Sequence, residues 1–419
     1  MREMKDSGIG WVHNIPAFWD VIKGKYVLAS NKLIVGAKVE EYDRLALTLN
    51  GVIKRSKDDN EGLQPVKFDT YQILKKDELV FKLIDLQNIS TSRVGLSPYI
   101  GIVSPAYIIL KCSKKIYPQF AEKYYLMMWM NQVFNALGGS GVRSSLNSSE
   151  LLELLIPLPP IDEQKKIAKY LDEQCKKIDE IIADIQKQID TLEDYKKSVI
   201  SEAVTMGLNP NTKITKSRIF YMAPYNKEWT LTKIGYCCKK LWRAFAPEDT
   251  ALICTNKGKV SVRPEEMTGK MVSEDNAMQG IKKGDIAIHG MDTWHGSVAY
   301  SDYDGKITRV VHVCDSTEDK RFIVYYLQQL AFNGVYKLIS NGIRGNTSDF
   351  RSWDKVADIY IALPKVDEQH QISDYLDKKC AEIDSIIENK KAQLETIENY
   401  KKSLIYEYVT GKKEVPENE

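Results

Sequence analysis

The sequence predicts an α+β protein. Two variable domains, each a mixed sheet with helices, are separated by two long helices that pair antiparallel as an intramolecular coiled coil with pseudo-two-fold symmetry. Three observations predict it. Residues 161–205 and 366–410 align without a gap and are identical at 23 of 45 positions, among them Asp162/Asp367, Glu163/Glu368, Gln164/Gln369, Leu171/Leu376, Cys175/Cys380, Ile178/Ile383 and Tyr195/Tyr400. A period near 200 residues marks duplicated domains, because solenoid periods run about 20 to 50 residues. Secondly, the match continues upstream more faintly: "YYLMMWMNQVFNALGGSGVRSS" (124–145) lies over "YYLQQLAFNGVYKLISNGIRGN" (325–346), and "QILKKDELVF" (72–81) over "QGIKKGDIAI" (279–288), while the middle of each half hardly aligns. Thirdly, both shared segments place apolar residues at heptad spacing.

In chain order, the first variable domain covers 1–155. It opens with Pro16 and Trp19 after "KDSGIGW", as the second opens with Pro224 and Trp229 after "TKSRIFY". Alternating runs bounded by turn residues ("KDELVFKLIDLQNIS", "AYIILKCS") read as strands of a curved sheet, followed by a helix over about 118–136. The first shared helix lies within 156–207. Leu171, Ile178, Ile185 and Leu192 take heptad position a and Ile182 and Ile189 position d, with Cys175 and Ala203 also at d and Lys196 the polar break. The second variable domain, 208–361, carries strands in "GDIAIHGMD" and "TRVVHVCD" and a helix over 319–333. The second shared helix lies within 362–411, with Leu376, Ile383, Ile397 and Leu404 at a and Ile387 and Leu394 at d, broken by Lys390 and Lys401; 412–419 is a tail. Proline at 159–160 and 364 followed by Asp-Glu suits a helix start, and Gly207 and Gly411 mark the stops. Such a helix is roughly 66 Å long.

Composition bounds the function. A chain of 419 residues, 43% hydrophobic and 28% charged, is ordinary globular material. A net charge of +2 excludes an overall basic field but not locally basic reading of nucleic acid. Seven scattered cysteines without a CxxC pair, a charged opening "MREMKDS" and no apolar run near 20 residues imply a reduced, cytoplasmic protein without a membrane span.

The residues for catalysis are missing. No Asn/Asp-Pro-Pro-Tyr/Phe loop and no Pro-Cys nucleophile stands beside a Gly-rich cofactor turn. "GGSGVRSS" lacks the Gly-Lys-Ser/Thr of a phosphate loop and follows a helix. His289, Asp292, His295 and His312 have no counterpart set in the first half and read as loop residues, so no metal is assigned. What remains is binding. Loops at 50–59, 90–95, 256–263 and 292–296 mix basic, small polar and aromatic residues. Lys54, Arg55, Ser92, Arg93, Lys257, Lys259, Arg263, Trp294 and His295 are the DNA-contact candidates there. Arg143 with Ser144, and Arg344 with Asn346, join them, the arginines because the duplication retained both in Gly-x-Arg turns; a phosphate contact and a turn-stabilising hydrogen bond fit them equally well.

Two divergent domains, each opening on a Pro and Trp segment and ending in "LPPIDEQKKIAKYLDEQ" or "LPKVDEQHQISDYLDKK", resemble the specificity (S) subunit of type I restriction–modification systems, which defend against foreign DNA, across essentially the whole chain. The resemblance implies that each variable domain is a target-recognition domain reading one half of a bipartite, asymmetric site in double-stranded DNA. The helices would set the spacer and seat two modification (M) subunits that methylate adenine with S-adenosylmethionine. Two restriction (R) subunits would add ATP- and Mg2+-dependent translocation and cleavage, so this chain binds no cofactor itself. A four-residue insertion between Arg344 and Pro364 is the one departure between the halves that the family pattern leaves open. A two-headed coiled-coil scaffold binding proteins instead of DNA is the rival from a different class; it predicts no sequence-dependent DNA affinity.

Overall fold

The computed structural model describes residues 2–49, 51–59, 67–84, 86, 93–138, 145–264, 277–340 and 348–416. The chain divides into two compact units, Met1–Gln186 with Ala392–Glu419, and Lys187–Lys391. Each unit therefore contains half of both long helices, Ile161–Met206 and Val366–Val409.

The heptads do what their spacing predicts inside each unit. In the first, Leu171, Cys175 and Ile178 join Leu404, Ile405, Tyr408 and Val409 in one core, with Ile182 and Ile397 at its edge. In the second, Val199, Ile200, Ala203 and Val204 meet Ile372, Leu376 and Cys380. Ile185, Ile189, Ile383 and Ile387 are buried, and Leu192 and Leu394 half-buried. Two lysines that break the seam are satisfied by ion pairs that the duplication also copied: Lys401 Nζ lies 2.5 Å from Asp179 and Lys196 Nζ 2.7 Å from Asp384. With Tyr170 stacked at 4.6 Å on Tyr408, the first pair makes that unit's helices antiparallel. Partly exposed pairs of this kind contribute at most about 1 kcal/mol each, so their use is register.

The Asp-Glu-Gln start of each helix has a more specific task than favouring the dipole. Fully buried Gln164 accepts the Tyr117 N–H at 2.7 Å and donates to the carbonyls of Pro159 (2.8 Å) and Lys115 (3.1 Å). Gln369 repeats this, accepting from the Asp319 N–H (2.9 Å) and donating to Pro364 O (2.9 Å) and a Glu318 carboxylate oxygen (2.7 Å). The glutamate accepts an indole N–H in each unit, Trp19 to Glu163 at 3.1 Å and Trp229 to Glu368 at 3.3 Å. The opening tryptophan, the segment before the middle helix and the long helix are thus tied together by one tripeptide. The stop glycines close the same corner: Gly411 (φ +70°) lies against Pro16 and Trp19, and Gly207 (φ +83°) against Trp229 and Glu368.

The variable domains share more than their sequences reveal. In the first unit a four-stranded antiparallel sheet runs in the order Leu28–Ser30, Ile108–Cys112, Leu79–Lys82, Arg93–Leu96. In the second the same order recurs as Cys238–Lys240, Val311–Ser316, Ile286–His289, Val298–Tyr300. Each domain also pairs its opening strand with the strand before its long helix, Asp20–Lys23 with Leu155–Leu158 and Thr230–Lys233 with Tyr360–Leu363. The expected helix over 118–136 is broken in two, Pro118–Met130 and Val133–Leu137, while that over 319–333 is found as Lys320–Phe332 and is followed by a second short helix, Val335–Ile339. The cause is a left-handed residue between the pieces, Gln132 (φ 56°) and Gly334 (φ 69°). Glycine tolerates that conformation and glutamine does not, so Gln132→Gly is expected to stabilise the first unit by about 1 kcal/mol. A thermal melt that moved downward would refute this.

A second arrangement of strands also recurs, with different residues on it. In the first unit it is a four-stranded sheet, Gly51–Arg55, Arg44–Thr48, Gly101–Val103, Gln72–Leu74, over its own small core. In the second, Val260–Val262 pairs with Leu252–Cys254 and Gly305–Thr308 with Met278–Ile281, and a parallel bridge between Ala251 and Lys306 joins the two pairs. Among the described residues no helix is long and apolar enough to cross a membrane.

Candidate nucleic-acid interface

The candidates fall in the divergent parts. Of the stretches expected as loops, residues 51–55, 93–96 and 260–262 form strands. The reason is hairpin chemistry: Gly51 (φ +89°) and Gly258 (φ +69°) supply the turns, and the flanking residues alternate.

In the first unit Arg44 and Arg55 are direct cross-strand partners. Like charges in that position are destabilising, so the ladder carries an arrangement that folding alone does not favour. The structure offsets it with oxygen acceptors and rings. Arg55 Nε donates to Asp59 at 2.5 Å, Arg44 Nη1 donates to Ser56 O at 3.2 Å, and the Arg44 guanidinium lies over Phe68 at 5.4 Å. Burial raises the pKa of the Tyr107 hydroxyl, against the opposing charges of Arg44, Arg93 and Arg55. Burial also lowers Arg93 itself. Lys54, on the other face of the strand, pairs with Asp43 at 2.6 Å and lies 5.5 Å from the Tyr99 ring. Sequence reading found Arg55 and Arg93 and missed Arg44 and Tyr107; the signal available was Asn50-Gly51 between alternating runs, which puts Arg44 opposite Arg55.

In the second unit Lys257 and Lys259 stand exposed on the hairpin turn held by the Thr255 N–H to Lys259 carbonyl bond (2.9 Å), and Arg263 sits at its foot, its N–H on Ala251 O (2.8 Å). Trp294 is half-buried against the core and donates its indole N–H to Ser340 Oγ at 2.8 Å. His295 is exposed with Nδ1 2.7 Å from Asp292 Oδ1. His312 is buried with Nε2 2.7 Å from Phe350 O, and burial lowers the pKa of both His312 and His289. Among the described residues no three His, Cys, Asp or Glu side chains are placed to hold a metal. Ser92, Arg143, Ser144, Arg344 and Asn346 lie outside the described residues.

One basic-aromatic element here escaped sequence reading. Trp242 is 64% exposed, and the Arg309 guanidinium stacks on it at 4.7 Å. The two are 67 residues apart, and no short motif joins them. The second unit therefore presents an arginine against an aromatic ring at its surface, a chemistry that holds phosphates and reads base edges, whereas Arg44 of the first unit is buried against Phe68.

Residues 44–191 match the family model described as the type I restriction modification DNA specificity domain. The chain is 25% identical to a Methanocaldococcus jannaschii protein provisionally described as the MjaX type I restriction enzyme specificity subunit, covering 98% of this chain and 96% of that one. It is 24% identical to the type I restriction enzyme MjaVIII specificity subunit of the same organism, over 83% and 82% of the two chains. Among solved structures it resembles a chain from a study of complex assembly and conformational transition of the type I R-M system, with a TM-score of 0.66 at 11% identity over 95% of this chain and 99% of that one. That last likeness speaks to the fold.

Proposed function

We propose, from the premise that this chain is a specificity subunit of the type I restriction–modification family, that each unit reads one half of a bipartite, asymmetric DNA site and that the paired long helices set the spacer between the halves. One observation carries the reading: the duplication keeps the sheet, the tethering tripeptide and the seam, while the middle of each half, which carries the candidate contact residues, diverges in sequence. A common frame with two different heads is what an asymmetric bipartite site requires. Helices of 46 and 44 residues span roughly 66 Å, and one turn of DNA is about 34–36 Å.

The same helices are the docking surface for two modification subunits. Each unit exposes one isoleucine and one tyrosine beside its inter-helix ion pair, Ile181 and Tyr400 in the first, Ile386 and Tyr195 in the second, and these are matched positions of the repeat. Exposed apolar side chains retained in both copies suit two equivalent protein partners. S-adenosylmethionine sits on those modification subunits, and ATP and Mg2+ on two restriction subunits. The protein acts in the cytoplasm, where its DNA is.

Long-read sequencing of host DNA with and without the gene tests this. Adenine methylation at one bipartite motif is expected to vanish on deletion. Exchanging residues 1–155 for another such domain is then expected to change one half-site only, and a change in both would refute modular reading. Inserting seven residues in one shared helix is expected to alter the spacer or abolish assembly without changing the bases read.

A further inference from the structure

We propose that Arg309, braced by Trp242, is a base-reading residue of the second unit and recognises a guanine in that unit's half-site. The inference rests on the DNA-reading function above and names one residue that performs it. Arg309 is exposed, at the end of strand Gly305–Thr308, and its guanidinium is fixed from two sides. Its Nε donates to Met278 O at 3.0 Å, and its Cζ lies over the Trp242 ring, 4.7 Å from the centroid. With Nε committed inward, the two Nη groups remain as a forward fork, the geometry that matches the O6 and N7 acceptors of guanine in the major groove.

The neighbouring cations are consumed by the fold. Arg243 makes a two-point pair with nearly buried Asp285 (2.9 and 3.0 Å), and Lys306 donates to Pro247 O at 2.6 Å. Arg309 has no acidic partner among the described residues. The loop that carries Trp242 is itself pinned, by the Gly280 N–H to Arg243 O bond (2.9 Å) and by Gly280 so close to Ala244 O that a Cβ there would lie 2.3 Å from it. An exposed contact of this kind adds little to folding. Holding a 64% exposed tryptophan on a pinned loop serves instead to pre-orient the arginine.

The test uses the full chain assembled with its modification subunit and four duplexes: the recognised site intact, each half scrambled in turn, and both scrambled. Arg309→Ala is expected to weaken binding about 10- to 100-fold wherever one particular half-site is intact and not where that half is scrambled. Replacing one guanine in that half should weaken the wild type to a similar extent and leave Arg309→Ala unaffected. Arg309→Lys should remain weak despite its charge, and Trp242→Ala should lose part of the affinity while Trp242→Phe keeps it. Equal loss on all four duplexes, full binding by Arg309→Lys, or no loss in correctly folded Arg309→Ala would each overturn the assignment while leaving half-site reading intact. Wild type that did not distinguish the duplexes would overturn both.

Discussion

Gly411→Ala is expected to destabilise the first unit by about 3 kcal/mol and to uncouple its long helices, whereas Gly207→Ala at the equivalent position of the second unit costs about half as much. Both glycines end a long helix with positive φ, so alanine meets the left-handed penalty of about 1–2 kcal/mol at either site. The surroundings differ. A Cβ on Gly411 would lie 2.5 Å from ring atoms of Pro16 and 2.8 Å from fully buried Trp19. Neither can move without disturbing the indole bond to Glu163. On Gly207 the contacts are 3.1 Å to the end of the Glu368 side chain and 3.3 Å to the Trp229 ring, which shifts of a few tenths of an ångström relieve without breaking the indole bond between them. Amide hydrogen exchange, followed separately for Pro118–Met130 and Lys320–Phe332, reads the two units independently. Equal losses at the two sites would show that the backbone penalty alone is at work and that the Pro16–Trp19 contact is slack.

Asp319→Ala is expected to cost the second unit about 2–3 kcal/mol, on the order of 5–10 °C in melting temperature, because one nearly buried carboxylate serves four groups. It caps helix Lys320–Phe332 by accepting the Phe322 N–H at 2.9 Å, accepts Ser373 Oγ at 3.0 Å, bonds the His370 ring and lies 3.5 Å from Arg321. Two of these partners belong to the long helix, so the cap also fastens that helix to the domain. Burial pushes this carboxyl up, but the Phe322 N–H, His370, Ser373 and the Arg321 charge outweigh it, and its pKa falls below the ordinary value. A depressed folded pKa stabilises fully above the unfolded value, and that stabilisation is lost as pH falls from about 4 through the folded value. Melts from pH 7 to pH 3 should show Asp319→Asn losing less over the acid range than wild type. Parallel acid profiles would remove Asp319 from the account.

The frame of the protein was legible because duplication wrote it twice. Leu171 and Leu376 stand at the same heptad position in both copies, and a helix seam needs nothing beyond spacing. The shared four-stranded sheet was only partly legible. Strands such as Ile108–Cys112 and Val311–Ser316 require alternation but few fixed residues, so their common order survives without alignable sequence. Long-range polar ties were out of reach. Trp19 and Glu163 are 144 positions apart, and the Asp-Glu that reads as a helix start gives no sign of an indole waiting for it. The interface was the least legible. Trp294, named for its composition, is half-buried and bonded to Ser340, while Trp242 looks unremarkable in "KKLWRAF" and stands in solvent beneath an arginine. Composition names side chains able to touch DNA; only the tertiary neighbours say which are occupied.

The division of each long helix between units has a consequence for synthesis. The second unit is one unbroken stretch, Lys187–Lys391, whereas the first needs Ala392–Glu419 to finish what Met1–Gln186 begins. On the ribosome the early-made unit is therefore the last to close. At about 5–20 residues per second, the 206 positions from 187 to 392 keep Leu171, Cys175 and Ile178 waiting roughly 10–40 s for Leu404, Ile405 and Tyr408. During that interval the nascent chain carries an open apolar stripe with its partner not yet translated. Premature termination anywhere in the second half leaves the stripe open, so incomplete chains are marked for aggregation or proteolysis before a one-headed product accumulates.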